Sequence, residues 1–359
     1  MSRDDEKSTA AAPFDEANLS ARFRRFADRE CRGVSPLYQV LARAVAKDSG
    51  ILALAANAQP EQPRPNMLFA AVQLLLLGGA HDDALARFYP DSTGKVAPAR
   101  RAAPAFRDFC QHHQTELVEI LRTRVVSTNE PARSACLLPA FVMAAEFAAG
   151  APLHLVEIGA SAGLNLVWDR YAFDYGPSGR VGDAAAGLHL NCAPRGRRRP
   201  PVPAVLPMVA SRLGIDKHPL RADDPADALW LRALIWPEQT ERAERLSRAL
   251  AIVRADPPPI IADDAMARLP EVLANRPAGG IVCLYHSFAL NQFPATARQA
   301  FEALLVRHAD HRPFVRVGLE WGDGAAPELC LCIYREGTVG ARLLAYCDPH
   351  GAWIEWLAR

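Results

Sequence analysis

The stretch LHLVEIGASAGLN, residues 153–165, contains the pattern that decides the fold. Residues 154–158 are short and apolar, as in a buried strand of a parallel sheet. The two glycines Gly159 and Gly163 enclose small residues, which lets a ligand approach the backbone closely. Residues 161–171 predict a helix whose N-terminal N–H groups would point at that ligand. We therefore expect a strand, a glycine-rich turn and a helix, with the ligand site built on the turn.

Predicted strands and helices alternate after residue 153, which indicates a mostly parallel sheet covered by helices on both faces. Further strand patterns lie at residues 209–215, 259–262, 281–285 and 314–319, and helical patterns at residues 227–235, 237–255, 265–275 and 294–308. Residues 328–334 and 341–346 flank a turn-like break, which predicts an antiparallel C-terminal hairpin. We treat residues 174–206, rich in Gly, Pro and Arg, as an insertion. The expected fold class is α/β.

The part of the chain before residue 153 has a different character. Residues 1–16 have mixed charge and are expected to be disordered, and residues 17–150 give helical patterns with no convincing strand. Because 359 residues exceed one ordinary domain, we expect an all-α domain over residues 17–150 and an α/β domain over residues 151–359. We expect the ligand to lie between them.

Composition limits the partners and the compartment. The net charge of +1 argues against nucleic acid and an acidic membrane surface as partners, and the basic run at residues 195–199 is left open. The longest apolar run, residues 67–77, is interrupted by Gln73 and is too short to span a bilayer. The eight cysteines show no C-x-x-C pair and no zinc spacing, so we expect no metal site. This cysteine usage, without a signal-peptide pattern, indicates the cytoplasm.

Acidic residues follow three successive predicted strands, at positions that suit a nucleoside-type methyl donor. Glu157 ends the first strand, where open α/β sheets bind ligands, and its carboxylate suits a cationic or hydroxyl-bearing ligand. Asp216 ends the second strand pattern and would bind a ribose. Its separation from Gly163 exceeds the usual ~20 residues because the insertion lies between them. Asp264, with Asp263 beside it, follows the third strand pattern, near an expected adenine amino group. Each acid alone is also explained as a helix cap.

The pentapeptide GASAG, residues 159–163, also matches G-x-S-x-G, the nucleophile elbow of α/β-hydrolases, with Ser161 as the nucleophile. Three features argue against such a serine esterase. An elbow strand normally has several strands before it, whereas the preceding residues are helical in pattern. Asp348-Pro349-His350 would crowd the acid and the base of a triad into three residues. Glu157 has no role in an elbow and would be a costly buried charge.

Two further groups of residues are candidates for the site. His286 and Ser287 follow the predicted strand at residues 281–285, and His286 could act as a general base or position the acceptor. It could equally be a hydrogen-bonded histidine at a strand end. Thr128-Asn129-Glu130, with Arg133 one turn on, is explained as the N-cap and first turn of a helix. The alternative is that this junction closes over the ligand.

The chain resembles known families at two levels. Residues 150–359 resemble the Rossmann-like fold of class I S-adenosylmethionine-dependent methyltransferases, through the acidic-x-Gly motif, the acid-ended second strand and the terminal hairpin. Almost the whole chain resembles the bacterial domain of unknown function 2332 family. The strings that carry this second resemblance are CRGVSPLY at residues 31–38, TNE at 128–130, residues 156–171 and IWPEQ at 235–239.

The methyltransferase resemblance implies that Glu157, Gly159, Gly163 and Asp216 contact S-adenosylmethionine. Ser161 departs from the motif, where a glycine is commoner. The expected reaction is methyl transfer to an unidentified small-molecule or macromolecular acceptor, which needs few catalytic side chains because the sulfonium is already activated. The serine esterase and a non-catalytic binding or regulatory protein on the same fold stay open as alternatives.

Overall fold

The computed structural model describes residues 15–80, 83–90, 96–127, 129–275, 277–309 and 312–359. The α-helices in this part of the chain are α1 Glu16–Arg25, α2 Pro36–Val45, α3 Ser49–Ala55, α4 Arg64–Gly78, α5 Ala102–His112, α6 Gln114–Thr123, α7 Arg133–Phe147, α8 Pro225–Ala233, α9 Thr240–Ala255, α10 Ala265–Ala274 and α11 Ala295–His308. The strands are β1 Leu153–Ile158, β2 Ala172–Asp174, β3 Arg180–Val181, β4 His189–Asn191, β5 Ala193–Arg195, β6 Val209–Asp216, β7 Ile260–Ala262, β8 Ile281–Ser287, β9 Phe314–Trp321, β10 Pro327–Arg335, β11 Thr338–Cys347 and β12 Trp353–Trp356.

The chain divides into two compact units. One comprises Met1–Ser127 and Leu229–Thr240, and the other comprises Thr128–Ala228 and Glu241–Arg359. Most of the segment expected to be disordered, residues 1–14, lies outside the described residues, and Glu16 is the first residue of α1. Within the described residues, helices alone precede β1.

The first unit has an aromatic core around α4. Tyr38 stacks on Phe69 with ring centroids 4.6 Å apart, and Trp236 packs against Tyr38 at 5.7 Å. Gln73 is buried in α4 and is fully engaged, since it accepts from the Tyr38 hydroxyl and donates to the Ile235 carbonyl, both at 2.7 Å. Among the described residues, no helix is both long enough and apolar enough to cross a membrane.

The second unit contains a nine-stranded sheet in the order β5-β12-β11-β10-β9-β8-β1-β6-β7. The five strands from β7 to β9 are parallel, and β10, β11 and β12 continue as an antiparallel meander. The antiparallel hairpin expected near the C-terminus is therefore present as β10 and β11. In chain order the five parallel strands are arranged 3-2-1-4-5. The direction of winding reverses between β1 and β8, which is the switch point where open sheets bind ligands.

Residues 174–206 contain more regular structure than an irregular insertion. They include β3 and β4, which form a three-stranded sheet with β2, and β5, which pairs in parallel with β12 at the edge of the large sheet. Two arginines of the basic run support this edge. The Arg195 guanidinium lies over the Trp353 ring at 4.2 Å, and Arg198 donates to the Leu357 carbonyl.

The sheet register assigns the site residues to two faces. Glu157 lies directly opposite Tyr285, and Ile158 lies directly opposite His286. Opposite residues share a face and successive residues alternate. Glu157 and Tyr285 therefore point toward α7, whose Phe141 packs edge-on against Tyr285 at 5.2 Å. Ile158 and His286 point to the face covered by α10 and α11.

The helix expected at residues 161–171 is wrong in type and length. The structure has a seven-residue 3-10 segment, Leu164–Arg170, with non-helical angles at Val167. Three consecutive carbonyls that an α-helix would use accept hydrogen bonds from side chains, namely those of Leu164 from Tyr171, Asn165 from Tyr285, and Leu166 from Arg212. A short 3-10 segment has no strong dipole, so residues 164–170 lack the α-helix N-terminus that the sequence predicts at the ligand site.

Gly163→Ala tests how tightly the turn is packed. Gly163 has φ +73°, and an added Cβ would lie 2.7 Å from Pro258 Cγ. Gly150 has φ +81° with nothing within 4 Å, so Gly150→Ala is the matched control for backbone strain alone. We expect Gly163→Ala to lower the free energy of unfolding by about 2–4 kcal/mol and Gly150→Ala by about 1–2 kcal/mol in urea denaturation. Equal losses of unfolding free energy in Gly163→Ala and Gly150→Ala would contradict close packing of the turn.

Candidate functional site

The glycine-rich turn connects the end of β1 to the strands on both sides of it. Gly159 has φ +73° and donates its N–H to the Ile215 carbonyl of β6 at 2.9 Å. A Cβ on Gly159 would come within 3.0 Å of Ala289 Cβ, in the segment after β8. Ser161 also has a positive φ, +52°. The turn therefore lies at the switch point. The space beside Gly159 is filled by Ala289 and admits no side chain.

Asp216 holds this turn from the end of β6. One carboxylate oxygen accepts the Ser161 N–H and the other accepts the His218 N–H, each at 2.8 Å. A carboxylate has about four acceptor positions, so Asp216 can still accept from a ligand hydroxyl. The Ser161 N–H, by contrast, is already used. The expected strand-end acid is present, and it also has a structural role.

Asp264 follows β7 and caps α10, because its carboxylate accepts the Met266 N–H at 2.7 Å. It also pairs with Lys217 at 2.7 Å, and this hydrogen bond lowers the pKa of its carboxyl. Since β6 and β7 are neighbours, with Asp216 opposite Ala262, the structure brings Asp216 and Asp264 to the same edge of the sheet. Each oxygen of the Asp264 carboxylate therefore already has one partner.

Glu157 is a buried acid, with 2% of its surface exposed. Burial raises the pKa of its carboxyl well above the ordinary value, and the charge of Asp216 adds to this effect, while Tyr285 and Arg133 oppose it. The Tyr285 hydroxyl lies 3.2 Å from Glu157 Oε2 and 3.1 Å from the Asn165 carbonyl oxygen. A phenol has one proton and can donate to only one of these oxygens. A protonated Glu157 satisfies all three groups, because it donates to Tyr285, which donates to Asn165.

An amide network connects the turn to the segment before α7. Asn129 donates to the Ala160 carbonyl at 2.9 Å, and Asn165 donates to the Asn129 side-chain oxygen at 3.3 Å. The Ser134 hydroxyl donates to Asn165 Oδ1 at 2.8 Å. Asn129 therefore contacts the turn, as the sequence hypothesis of a closing junction requires. Thr128, the other polar candidate there, lies outside the described residues.

Glu130 and Arg133 have mainly structural contacts. The buried Glu130 carboxylate pairs with Arg242 at 2.7 Å and Arg245 at 2.8 Å. Burial raises the pKa of Glu130, but the two guanidinium groups outweigh it, so the net pKa lies below the ordinary value. Arg133 places its guanidinium 4.4 Å over the Phe288 ring and donates to the Pro349 carbonyl at 3.0 Å. Its burial lowers its pKa to about 10.

His286 has a defined protonation pattern because of Glu320, a residue that the sequence analysis missed. His286 Nδ1 lies 2.7 Å from Glu320 Oε1, which also accepts the backbone N–H groups of Ala289 and Leu290 at 3.0 Å. Burial raises the pKa of Glu320, but these hydrogen bonds outweigh it and the carboxyl stays ionised. Since an ionised carboxylate only accepts, Nδ1 carries a proton and donates it to Glu320. Nε2 is buried and has no hydrogen-bond partner.

Ser287 is the last residue of β8 and lies opposite Leu319. Because side chains alternate along a strand, Ser287 points to the face of Glu157 and His286 points to the other. The structure therefore does not bring together His286 and Ser287 as one pair of side chains. No sequence pattern marks Glu320, because it follows His286 by 34 residues and belongs to a different strand.

The turn has one backbone feature of a serine hydrolase, and the side-chain pairs of a triad are not assembled. Ser161 has the positive φ expected at an elbow. The unpartnered Nε2 of His286 makes no hydrogen bond to Ser161, so this pair is not assembled. Asp348 accepts the backbone N–H of His350 at 2.8 Å, whereas His350 Nδ1 has no partner. The acid and the histidine that the sequence offered are not arranged as a triad.

The fold and the site together define an α/β protein with an open, mostly parallel sheet, whose switch point carries a glycine-rich turn and a buried acid. The chain belongs to the family described as "Uncharacterized protein conserved in bacteria (DUF2332)", whose pattern matches residues 20–356. This match confirms the resemblance of the sequence to the bacterial domain of unknown function 2332 family. No curated protein and no solved structure matches the chain.

Glu157→Gln tests the neutral state of the buried acid. Because the pKa of Glu157 is raised in the folded protein, the wild type loses stability as pH rises above the ordinary value of 4.5 and until the folded pKa is reached. Glutamine can donate to Tyr285 as the protonated acid does, and it does not titrate. We expect the variant to gain up to about 1.4 kcal/mol per pH unit relative to wild type in urea denaturation between pH 5 and 8.

The control is Glu336→Gln, which changes an exposed carboxylate in the turn between β10 and β11. Its stability difference from wild type is expected to stay constant over the same range. A Glu157→Gln difference that does not change with pH would contradict a proton on Glu157.

Proposed function

We propose that this protein is an S-adenosylmethionine-dependent methyltransferase whose donor binds at the switch point between β1 and β8. The observation that carries the proposal is the combination of the 3-2-1-4-5 order of parallel strands with an acid at the end of each of the first three. Such acids suit a ligand with a cationic end, a ribose and an exocyclic amine. The ligand supplies an activated methyl group when bound.

Each acid has a distinct part in this proposal. Asp216 keeps acceptor capacity for ribose hydroxyls beyond its two backbone bonds. Asp264, beside Lys217, would accept from an adenine amino group at the next strand end. Glu157 would face the cationic end, since an adjacent positive charge favours the ionised carboxylate that burial otherwise disfavours. Gly159 supplies the positive φ of the turn, and Ala289 fills the space where a side chain would lie.

The neutral state of Glu157 makes the ligand test specific. A cation that binds beside Glu157 stabilises its carboxylate, so binding is coupled to the release of a proton. This coupling also predicts tighter binding as pH rises toward the pKa of the free protein. Neither effect is expected from a ligand that contacts the turn without reaching Glu157.

The decisive measurement is calorimetric titration of the full chain with S-adenosylmethionine and with its demethylated product. We expect binding that is lost, at least about 100-fold, in Asp216→Ala and kept in Asp263→Ala, which removes a half-buried neighbouring acid that pairs with Arg268. Titrations in buffers of different ionisation enthalpy should show proton release in wild type and none in Glu157→Gln. Failure of the wild type to bind either compound would contradict the proposal.

The acceptor is a small molecule or a macromolecule, and methyl transfer to it distinguishes an enzyme from a binding protein. A chain that binds the donor and methylates nothing in a bacterial extract supplied with radiolabelled donor would be a binding or regulatory protein on this fold. The balanced net charge of +1 gives no general attraction for nucleic acid.

The serine esterase is the second candidate, and the positive φ of Ser161 favours it. A fluorophosphonate reacts with a serine that an adjacent base activates. Because Nε2 of His286 makes no hydrogen bond to Ser161, we expect no stoichiometric labelling. Mass spectrometry of the intact protein, with Ser161→Ala as the control, measures the result. Labelling of wild type that disappears in Ser161→Ala would favour the esterase.

A further inference from the structure

A cavity lies on the face of the sheet that is opposite Glu157. It has a volume of about 230 Å³, and its lining includes His286, Gly318, Glu320, Trp321, Glu328 and Cys330. His286, Gly318 and Cys330 lie in one row across β8, β9 and β10. We call this cavity the His286 pocket. Its volume is below the range of about 300–1,000 Å³ that is usual for drug-sized ligands, so it suits a smaller molecule.

Gly318 makes room for the imidazole in this pocket. A Cβ on Gly318 would lie 2.8 Å from His286 Cε1 and 3.1 Å from Nε2. The ring is 2% exposed, and its Nε2 has no partner. Since an unpaired buried nitrogen is costly, this atom is suited to a ligand proton. Glu320 holds the opposite side of the ring and would stabilise an imidazolium.

Glu328 adds a second carboxylate to the pocket. It lies directly opposite Glu320 in the antiparallel register of β9 and β10, an arrangement in which like charges repel. Its carboxylate lies against Gly322, where an added Cβ would come within 2.4 Å. Among the described residues, none makes a hydrogen bond or an ion pair with Glu328. This partly exposed carboxylate is therefore available to a cation.

The arginines of the pocket do not balance these two acids. Arg316 pairs with Glu302, which also accepts from the Tyr334 hydroxyl at 2.9 Å, so this group is internally neutralised. Arg298 is the remaining cation of the lining, and it is exposed on α11. The pocket thus has two carboxylates against one solvated guanidinium, and its interior favours a positively charged ligand.

We propose that the His286 pocket binds a small primary or secondary amine, with Glu328 as the ligand of its ammonium group and His286 Nε2 as the base that removes its proton. The inference is independent of the proposed function, because the pocket lies on the face of the sheet opposite Glu157. The exposed indole of Trp321, 47% accessible, lines the same pocket and suits an organic cation.

The proton transfer balances without a further reactant. The ammonium N–H bond breaks, its proton passes to Nε2, and the bonding electron pair stays on the nitrogen as the lone pair of a neutral amine. The imidazolium that forms is paired with Glu320 at 2.7 Å and later releases the proton to solvent.

Three probes of similar shape and different charge test the inference: phenethylamine, 2-phenylethanol and phenylacetate. We expect the full chain to bind phenethylamine most tightly in calorimetric titration. Glu328→Gln should weaken phenethylamine at least tenfold and leave 2-phenylethanol unchanged. The exposed Glu336→Gln at the far end of β10 is the matched control and should alter neither. Equal binding of the three probes, preference for phenylacetate, or an unchanged affinity in Glu328→Gln would overturn the proposal.

Gly318→Ala and NMR of the imidazole supply an independent measurement. The added methyl group should abolish phenethylamine binding by filling the space beside Nε2. In wild type, phenethylamine should shift the His286 Nε2 resonance and 2-phenylethanol should shift it differently, since only the amine delivers an ammonium proton. Amine binding without any change at His286 would overturn its role as the base. Amine binding in a chain that binds no S-adenosylmethionine would reject the proposed function and keep the pocket.

Discussion

The proton on the buried Glu157 carboxyl, beside the Tyr285 hydroxyl, is the constraint on which the centre of this structure depends. β1 is buried along its whole length, so an ionised Glu157 there would be an uncompensated charge. With the proton on Glu157, the hydrogen bonds run from Glu157 through Tyr285 to the Asn165 carbonyl. The same chain of bonds fixes the backbone after the turn. The proposed donor site would combine this structural need for neutrality with the binding of a cation in one carboxyl group.

The turn itself is held more tightly than a ligand-binding loop requires. Asp216 accepts the Ser161 N–H, and Asn129 donates to the Ala160 carbonyl. Asp216 and Asn129, which the sequence predicts as site residues, therefore also stabilise the turn. The Glu130 carboxylate forms ion pairs with Arg242 and Arg245. This preorganisation reduces the conformational entropy that the turn would lose on binding a ligand. Because these residues also hold the turn, the ligand affinity of a variant such as Asp216→Ala must be compared with that of a variant at a neighbouring acid, such as Asp263→Ala.

The sequence predicts the features that depend on local pattern. The apolar run of β1, the strand-end positions of Asp216 and Asp264, and the terminal hairpin all follow from neighbours in the chain. The 3-10 segment at Leu164–Arg170 was beyond such reasoning, because Tyr285 and Arg212 bind its carbonyls from distant strands. Glu320 was missed for the same reason, and the placement of Glu157 and His286 on opposite faces depends on sheet register. Periodicity within one segment contains no information about these contacts.

The central position of β1 also has a consequence for how the chain reaches this fold. β1 pairs with β6 and β8, and the Glu157–Tyr285 contact joins residues 128 positions apart. Pairing at such sequence separation requires closing long loops first, which slows folding. During synthesis, the apolar β1 leaves the ribosome long before β8 does. Until β8 emerges, the nascent chain can pair β1 with β6 alone, and the other edge of β1 stays open, which is the kind of strand edge that favours aggregation.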